Sequence, residues 1–146
     1  MAGLRVKVEG GNQLARRLAI LPQDVSGEHL RQAALSGAGV IRKAASDNVK
    51  RGPGKTRIKG KVVGHLADHI IAEVEPVKSP LKVGVKVGPD KEHFYGPMLE
   101  NGHALVRNGK VVGNVEPHPF MRPAMDEHLE EAQGVVTAEI RRRLGL

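Results

Sequence analysis

Several groups of side chains in this sequence are of types that support chemistry, beginning with a glycine-rich segment beside a lysine. The segment Gly52-Pro53-Gly54-Lys55-Thr56 resembles the end of a phosphate-binding loop. That motif requires another glycine five positions before the Gly-Lys-Thr, where this chain has Val49, and it follows a strand, whereas this segment follows a predicted helix. We therefore expect a basic loop here and no nucleotide hydrolysis.

Histidines form two further groups. His65 and His69 are four residues apart and could share a helix face as metal ligands do, but no third ligand or accompanying cysteine is evident. A second group in the C-terminal third contains acid-base side chains without a nucleophile at a matching spacing: His103, His118, His128, Glu100 and Asp126. We expect no metal site, no cofactor, no small-molecule substrate and no catalysis.

Composition restricts the partners of the chain. The 146 residues carry a net charge of +7 and contain no cysteine, which excludes thiol chemistry and favours an acidic partner. Phe94, Tyr95 and Phe120 are the only aromatic residues, too few for the stacking platforms of single-stranded nucleic-acid binders. No segment has the roughly 20 apolar residues of a membrane span, so we expect no membrane partner.

Apolar periodicity predicts the elements of the fold. Alternation over residues 4–8 predicts a strand, and leucine spacing predicts a short helix over residues 12–21. A stripe of leucine, alanine and isoleucine predicts a longer helix over residues 26–45. Gly37 and Gly39 interrupt the longer helix, which indicates either a locally weak helix or a closely packed backbone. Strands follow at residues 70–77 and 81–87, and the alternation in the second buries one face only, which favours an antiparallel sheet.

The C-terminal part of the chain has the strongest local signals. Asn108-Gly109 lies between short apolar runs and predicts a two-residue hairpin turn. A long helix is predicted from about Arg122-Pro123 to Arg143, with Glu139 among the acids facing away from its apolar side. We expect one α+β domain over residues 1–146, with an antiparallel β-sheet, helices packed on one face and a long C-terminal helix.

A basic loop separates the two halves of the chain. Residues 50–61 contain six cations, three glycines, one proline and no acid, so we expect a mobile loop at about residues 49–62. It is interpreted either as a solvated turn or as an arm that becomes ordered against DNA or a neighbouring subunit. Its cations are Lys50, Arg51, Lys55, Arg57, Lys59 and Lys61.

The stretches Phe94-Tyr95-Gly96-Pro97-Met98-Leu99-Glu100-Asn101-Gly102-His103 and Pro117-His118-Pro119-Phe120-Met121-Arg122-Pro123-Ala124 resemble the small tail components of long-tailed bacteriophages. Members of that family show a tyrosine, then Glu-Phe-Gly-Thr, a spacer, and Pro-Phe-Leu-Arg-Pro-Ala at the start of the last helix. The matching positions are Tyr95, Glu100, Gly102, Pro119, Phe120, Arg122, Pro123 and Ala124. Residues 63–70 resemble the family's Thr-Gly-x-Leu-x-x-x-Ile, and the departures are Val63, Asn101, His103 and Met121.

The resemblance implies a virion protein that catalyses nothing. It implies a tail-completion, head-tail joining or neck subunit that forms a homo-oligomeric ring, commonly sixfold, between head-connector proteins and tail terminator or tail tube proteins. Such a subunit is located in the tail or neck of the particle, and in the host cytoplasm during assembly. Six copies of the basic loop would give a positive rim or lumen, where duplex DNA passes.

Two other classes of function remain open from the residues alone. The positive charge favours a duplex-DNA-binding protein, although no recognition-helix pattern accompanies it. An enzyme, such as a nuclease, would use the acid-base residues of the C-terminal third, with His118 or Glu100 as the test positions.

Overall fold

A computed structural model describes residues 23–49, 57–76 and 82–145. Among them are three α-helices, six strands and two short 3-10 helices. The α-helices are α1 (Gln23–Asn48), α2 (Gly96–Asn101) and α3 (Met121–Leu144). The strands are β1 (Arg57–Ile58), β2 (Lys61–Val62), β3 (Ile70–Glu75), β4 (Gly84–Pro89), β5 (His103–Arg107) and β6 (Lys110–Val115).

The fold class predicted from the sequence is confirmed: the chain is α+β with a long C-terminal helix. The long helix predicted over residues 26–45 is α1, which begins three residues earlier and ends three residues later. The strands predicted at residues 70–77 and 81–87 correspond to β3 and β4. The strand predicted at residues 4–8 and the short helix after it lie outside the described residues.

Strands in the described ranges pair two by two, as β1 with β2, β3 with β4, and β5 with β6. The first and last pairs are antiparallel. The predicted hairpin at Asn108-Gly109 is confirmed, because both residues have positive φ angles, 51° and 73°, as a type I′ turn requires. Its register pairs Val106 with Val111 and has a bulge between Leu105 and Val106.

A second hairpin lies inside the segment predicted as a loop. Lys59 and Gly60 have φ angles of 49° and 82° and connect β1 to β2. Lysine is an uncommon residue in this conformation, so residue types alone do not predict a hairpin there. Residues 50–56 of the basic loop lie outside the described residues.

Two compact units divide the described chain, and both long helices contribute residues to each. In the first unit, which includes residues 23–40, 72–76, 82–87 and 130–145, Ala33 and Ala132 are buried. In the second, residues 41–49, 57–71 and 88–129, Phe120 and Ile70 are the largest buried apolar side chains. The other buried apolar residues of the second unit are Ile41, Ala44, Ala45, Val49, Val63, Leu66, Ala67 and Ala124.

Close helix packing explains one of the two glycines inside α1. A Cβ added at Gly37 would overlap Cγ2 of Val136 and lie 2.9 Å from the carbonyl oxygen of Ala132, both in α3. At Gly39 a Cβ would meet nothing within 4 Å. The closely packed backbone that the glycines predict is thus that of another helix, α3. Only Gly37 is required for this close packing.

Helix α3 differs from its predicted pattern at one residue. Glu139, predicted to face away, has a side chain that is only 17% exposed and that bonds Arg142 and Arg143 at 2.7 and 2.6 Å. These hydrogen bonds, first that of Arg142 and then that of Arg143, lower the pKa of Glu139 to about 2.

Among the helices of the described residues, none combines the length and apolar character that crossing a bilayer requires.

Candidate assembly interface

The two halves of the family-like motif meet through one carboxylate. Glu100, in α2, accepts hydrogen bonds from the backbone N–H groups of Phe120 (2.7 Å), Met121 (2.9 Å) and Arg122 (3.0 Å). These N–H groups have no acceptor within α3 itself, because the first N–H groups of a helix have no partner inside the helix. The next residue is Pro123, which has no N–H. Every backbone N–H from residue 120 to residue 122 therefore donates to Glu100, and residue 123 has no N–H to satisfy.

Phe120 fixes the position of this junction in the second unit. Phe120 is 1% exposed, so it belongs to the core. Its carbonyl oxygen accepts a hydrogen bond from the amide of Asn48 at 3.2 Å. Nearby, the N–H of His118 donates to the carbonyl of Leu99 at 2.8 Å. Contacts on both sides of Phe120 therefore hold the chain where it enters α3.

Gly102 ends α2 in a conformation that other residues rarely adopt. Its φ and ψ angles are 70° and 165°, a region essentially restricted to glycine. A Cβ added there would lie 2.7 Å from the carbonyl oxygen of Val115 and 2.9 Å from the nitrogen of Pro117. The glycine of the Glu-x-Gly turn is thus required for both its backbone angles and its close contacts.

The β5–β6 hairpin is unusually exposed for a structured element. Every residue of β5 is exposed, as are the first three residues of β6. Four large apolar side chains are among them, with exposed fractions of 44%, 63%, 66% and 63%: Leu105, Val106, Val111 and Val112. An isolated two-stranded hairpin is marginally stable in water, and apolar surface of this kind is typical of interaction sites.

The remaining residues of the family-like motif are less deeply placed. Tyr95 is half-buried at the N-terminus of α2, and its ring centroid lies 5.8 Å from that of His93. Pro119 and Arg122 are exposed, and Pro123 is half-buried. The motif therefore combines core residues with residues that a partner can contact.

Little of the predicted basic surface falls within the described side chains. Lys50, Arg51 and Lys55 lie outside the described residues, and only the backbone of Arg57 is described. Lys59 is exposed at the tip of the β1–β2 turn, and Lys61 forms an exposed ion pair with Glu92 at 2.9 Å. Lys61 thus has an acidic partner within the chain.

A cluster of His69, Asp90 and His93 is the other polar arrangement of the second unit. His69 precedes β3 and Asp90 follows β4, and the N–H of Asp90 donates to the carbonyl of His69 at 3.0 Å. One oxygen of Asp90 lies 2.8 Å from Nδ1 of His69, and the other lies 2.6 Å from Nδ1 of His93. The two imidazole rings stack with centroids 4.2 Å apart.

Asp90 is also the N-cap of the short helix Lys91–His93, where it accepts the backbone N–H groups of Glu92 and His93. Burial alone would raise the pKa of Asp90, but hydrogen bonds from His93 and His69 lower it to about 2. The carboxylate is therefore ionised at neutral pH, and each of its oxygens can accept a hydrogen bond from an imidazole Nδ1–H.

The four-residue spacing of His65 and His69, for which the sequence predicts no shared metal site, does not indicate the observed partners of His69. Those partners are Asp90 and His93. Aspartate three residues before His93 is a recognisable helix-cap pattern. The contact with His69, 21 residues away, depends on the pairing of β3 with β4 and has no local signal.

Glu100 is one of the acid-base side chains of the C-terminal third, a group for which the sequence predicts no catalysis. Both carboxylate oxygens of Glu100 accept backbone N–H groups at the start of α3, so the structure shows this side chain as a helix cap.

Comparison of the chain with protein-family models, with curated proteins and with solved structures found no match.

Proposed function

We propose that this chain is a structural subunit of a long-tailed bacteriophage, acting in tail completion or head-tail joining as one member of a ring. The observation that supports the proposal is the contact between the two halves of the motif. Glu100 in the first half binds the start of α3 in the second half, and the exposed β5–β6 hairpin lies between Glu100 and α3 in sequence. The motif residues thus frame an element that is available to a partner.

The hairpin supports contact with a second copy of the chain. Four of its apolar side chains are more than 40% exposed, and covering them would remove apolar surface from water, which stabilises a contact by roughly 25 cal/mol per Å². A subunit that inserts such a hairpin into its neighbour forms a head-to-tail contact, which generates a ring when the rotation closes.

The experiment combines microscopy with one matched pair of variants. We expect rings of the purified chain, alone or with tails, in negative-stain images, and loss of rings in the double variant Val106→Ser with Val111→Ser. Both positions are more than 60% exposed and face each other across the hairpin, so the folded monomer should tolerate the change.

Val62→Ser is the control, because Val62 is an exposed valine on the other described hairpin. It should leave the rings intact. A chain that stays monomeric with and without tails, or a double variant that forms rings as well as the parent, would contradict the proposed contact.

Duplex DNA binding is the alternative, favoured by the net charge of +7. A DNA-binding protein would show an affinity whose logarithm falls steeply with the logarithm of salt concentration, without ring formation.

A further inference from the structure

We infer that Asn108, at the turn of the β5–β6 hairpin, is a site of spontaneous deamidation. In this modification the backbone nitrogen of Gly109 attacks the side-chain amide of Asn108, and the asparagine becomes aspartate or isoaspartate. The proposal is independent of the assembly role, because it concerns the covalent chemistry of the turn alone.

The reaction balances with water as the co-reactant. The Gly109 nitrogen gives up its proton and forms a bond to Cγ of Asn108, while the Cγ–Nδ2 bond breaks and Nδ2 takes up a proton to leave as ammonia. The result is a cyclic succinimide. Water then opens this ring: cleavage between Cγ and the Gly109 nitrogen gives aspartate, and cleavage between that nitrogen and the backbone carbonyl carbon gives isoaspartate.

Glycine after the asparagine makes the attack accessible. Because Gly109 has no Cβ, the backbone can rotate into conformations that other residues rarely adopt, and its nitrogen is not crowded by a side chain. Asn108 and Gly109 are both exposed, and a Cβ added at Gly109 would meet nothing within 4 Å. Water and hydroxide therefore reach the turn.

Local opening of the hairpin gives access to the geometry that the attack requires. Asn108 has a φ angle of 51° in the closed turn, and the backbone must rotate to bring the Gly109 nitrogen to Cγ. Every residue of β5 and the first three residues of β6 are exposed, so little packing opposes this opening. Elements with few buried apolar contacts open at the lowest free energy, and a two-stranded hairpin is marginally stable.

A second Asn-Gly pair within the described chain is held more firmly. Asn101 is the last residue of α2, and its side-chain amide donates to the carbonyl of Pro97 at 3.0 Å. A Cβ added at Gly102 would lie 2.7 Å from the carbonyl oxygen of Val115. Rotation of the backbone at this pair must therefore break the end of α2 and a close contact. The same dipeptide is thus free to react at Asn108 and restrained at Asn101.

The two products differ in their effect on the hairpin. Asp-Gly forms the same type I′ turn as Asn-Gly, so aspartate at position 108 keeps the strands paired and adds a negative charge between Arg107 and Lys110, which are both exposed. Isoaspartate lengthens the backbone inside a turn that fixes the register. The pairing of Val106 with Val111 is then lost.

The experiment compares three asparagines within one chain. Folded full-length protein is incubated at mildly alkaline pH and cleaved after glutamate, which releases residues 101–116 as a peptide that carries Asn101, Asn108 and Asn114. Mass spectrometry with fragmentation locates the change from amide to acid and separates isoaspartate from aspartate. We expect Asn108 to react at least about tenfold faster than Asn101, because opening the hairpin costs less than opening the end of α2.

Asn114 is the control for the glycine. It is exposed on β6, in the same hairpin, but Val115 follows it. A β-branched residue is stiff and crowds its own backbone nitrogen, so Asn114 should react at least about tenfold more slowly than Asn108.

The denatured chain is the control for the fold. In urea, Asn108 and Asn101 should react at similar rates, because glycine follows both. Asn108→Gln, whose longer side chain disfavours ring closure, should remove the change at position 108 and leave the rate at Asn101 as in the parent. Conversion at Asn108 that is no faster than at Asn101 or at Asn114 in the folded chain would overturn the proposal.

Discussion

Glu100 and Arg122 lie 22 residues apart in sequence, yet a carboxylate oxygen of the first accepts the backbone N–H of the second at 3.0 Å. With the bonds to Phe120 and Met121, this carboxylate caps the longest helix of the C-terminal half from a different element. Most helix caps are local. Here the cap also connects the two halves of the sequence motif.

Removing this cap should destabilise the chain measurably. Glu100→Ala leaves three backbone donors without their acceptor, and we expect a decrease of about 1–3 kcal/mol in the free energy of unfolding. Glu100→Gln keeps one oxygen but removes the negative charge that the helix N-terminus favours, so its effect should be smaller. Urea unfolding measures both.

Glu116→Gln, at an exposed position, serves as the control. In hydrogen exchange, the amides of residues 120–122 should exchange faster in Glu100→Ala than in the parent. Unchanged exchange at these amides would show that the cap does not hold the start of α3.

Glycines with positive φ provide a matched pair. Gly102 and Gly109 have φ angles of 70° and 73°, but a Cβ at Gly102 would meet Val115 and Pro117, whereas one at Gly109 would meet nothing within 4 Å. Gly109→Ala should cost about 1–2 kcal/mol from backbone strain alone. Gly102→Ala should cost at least about 1 kcal/mol more, because the neighbouring backbone must move. Equal destabilisation of the two variants in chemical denaturation would contradict the close approach.

The elements that can be predicted from sequence are those with local signals. Asn108-Gly109 specifies its hairpin through the backbone preferences of two residues, and the apolar spacing of α1 predicts that helix within three residues at each end. The β1–β2 turn is not predicted, because Lys59 occupies a position where asparagine or glycine is usual.

The contacts that define the candidate sites are long-range and cannot be predicted from spacing. Glu100 meets residues 20 to 22 positions later, and His69 meets Asp90 across the β3–β4 pair. The sequence motif marks Glu100 as a matching residue but does not show that it caps α3. The prediction that Glu139 faces away from the apolar side of its helix is wrong. A charged residue near a helix end is usually exposed to solvent, but the Glu139 side chain is only 17% exposed and pairs with Arg142 and Arg143.

The two glycines of α1 should respond in opposite directions to alanine. Gly39→Ala, with space around it, should stabilise the chain by about 0.5–1 kcal/mol, the usual difference between the two residues inside a helix. Gly37→Ala must displace Val136 and the backbone at Ala132, and should destabilise by about 1–3 kcal/mol. Thermal unfolding of the two variants makes the comparison. A stabilising Gly37→Ala would show that α1 and α3 do not pack as described in the first unit.

Glu139 should make stability depend on acidic pH. Its pKa of about 2 in the folded chain is below its ordinary value of 4.5, so its contribution to stability is fully present above pH 4.5. That contribution disappears as pH falls from 4.5 towards 2. The carboxyl carbon signal of Glu139 should titrate near pH 2, and Glu139→Gln should reduce the slope of stability against pH in this range. Glu127→Gln, exposed on the same helix, is the control.

Substitutions in the basic loop distinguish a role in assembly from a role in DNA binding. Replacing its six cations with serine lowers the net charge from +7 to +1, since 7 − 6 = 1. We expect little change in folding stability, because the one ion pair described there, Lys61 with Glu92, is exposed and exposed pairs contribute about 0–1 kcal/mol.

Joining of purified heads to tails should fall in the serine variant if the loop contacts DNA or an acidic neighbour in the particle. If the loop binds phosphate, the slope of log affinity for duplex DNA against log salt should decrease by about 0.9 for each phosphate that the variant no longer neutralises. Reduced joining with an unchanged salt slope would indicate an acidic protein surface as the partner. Unchanged joining and infectivity would remove the loop from the mechanism and leave the β5–β6 hairpin as the surface through which the chain assembles.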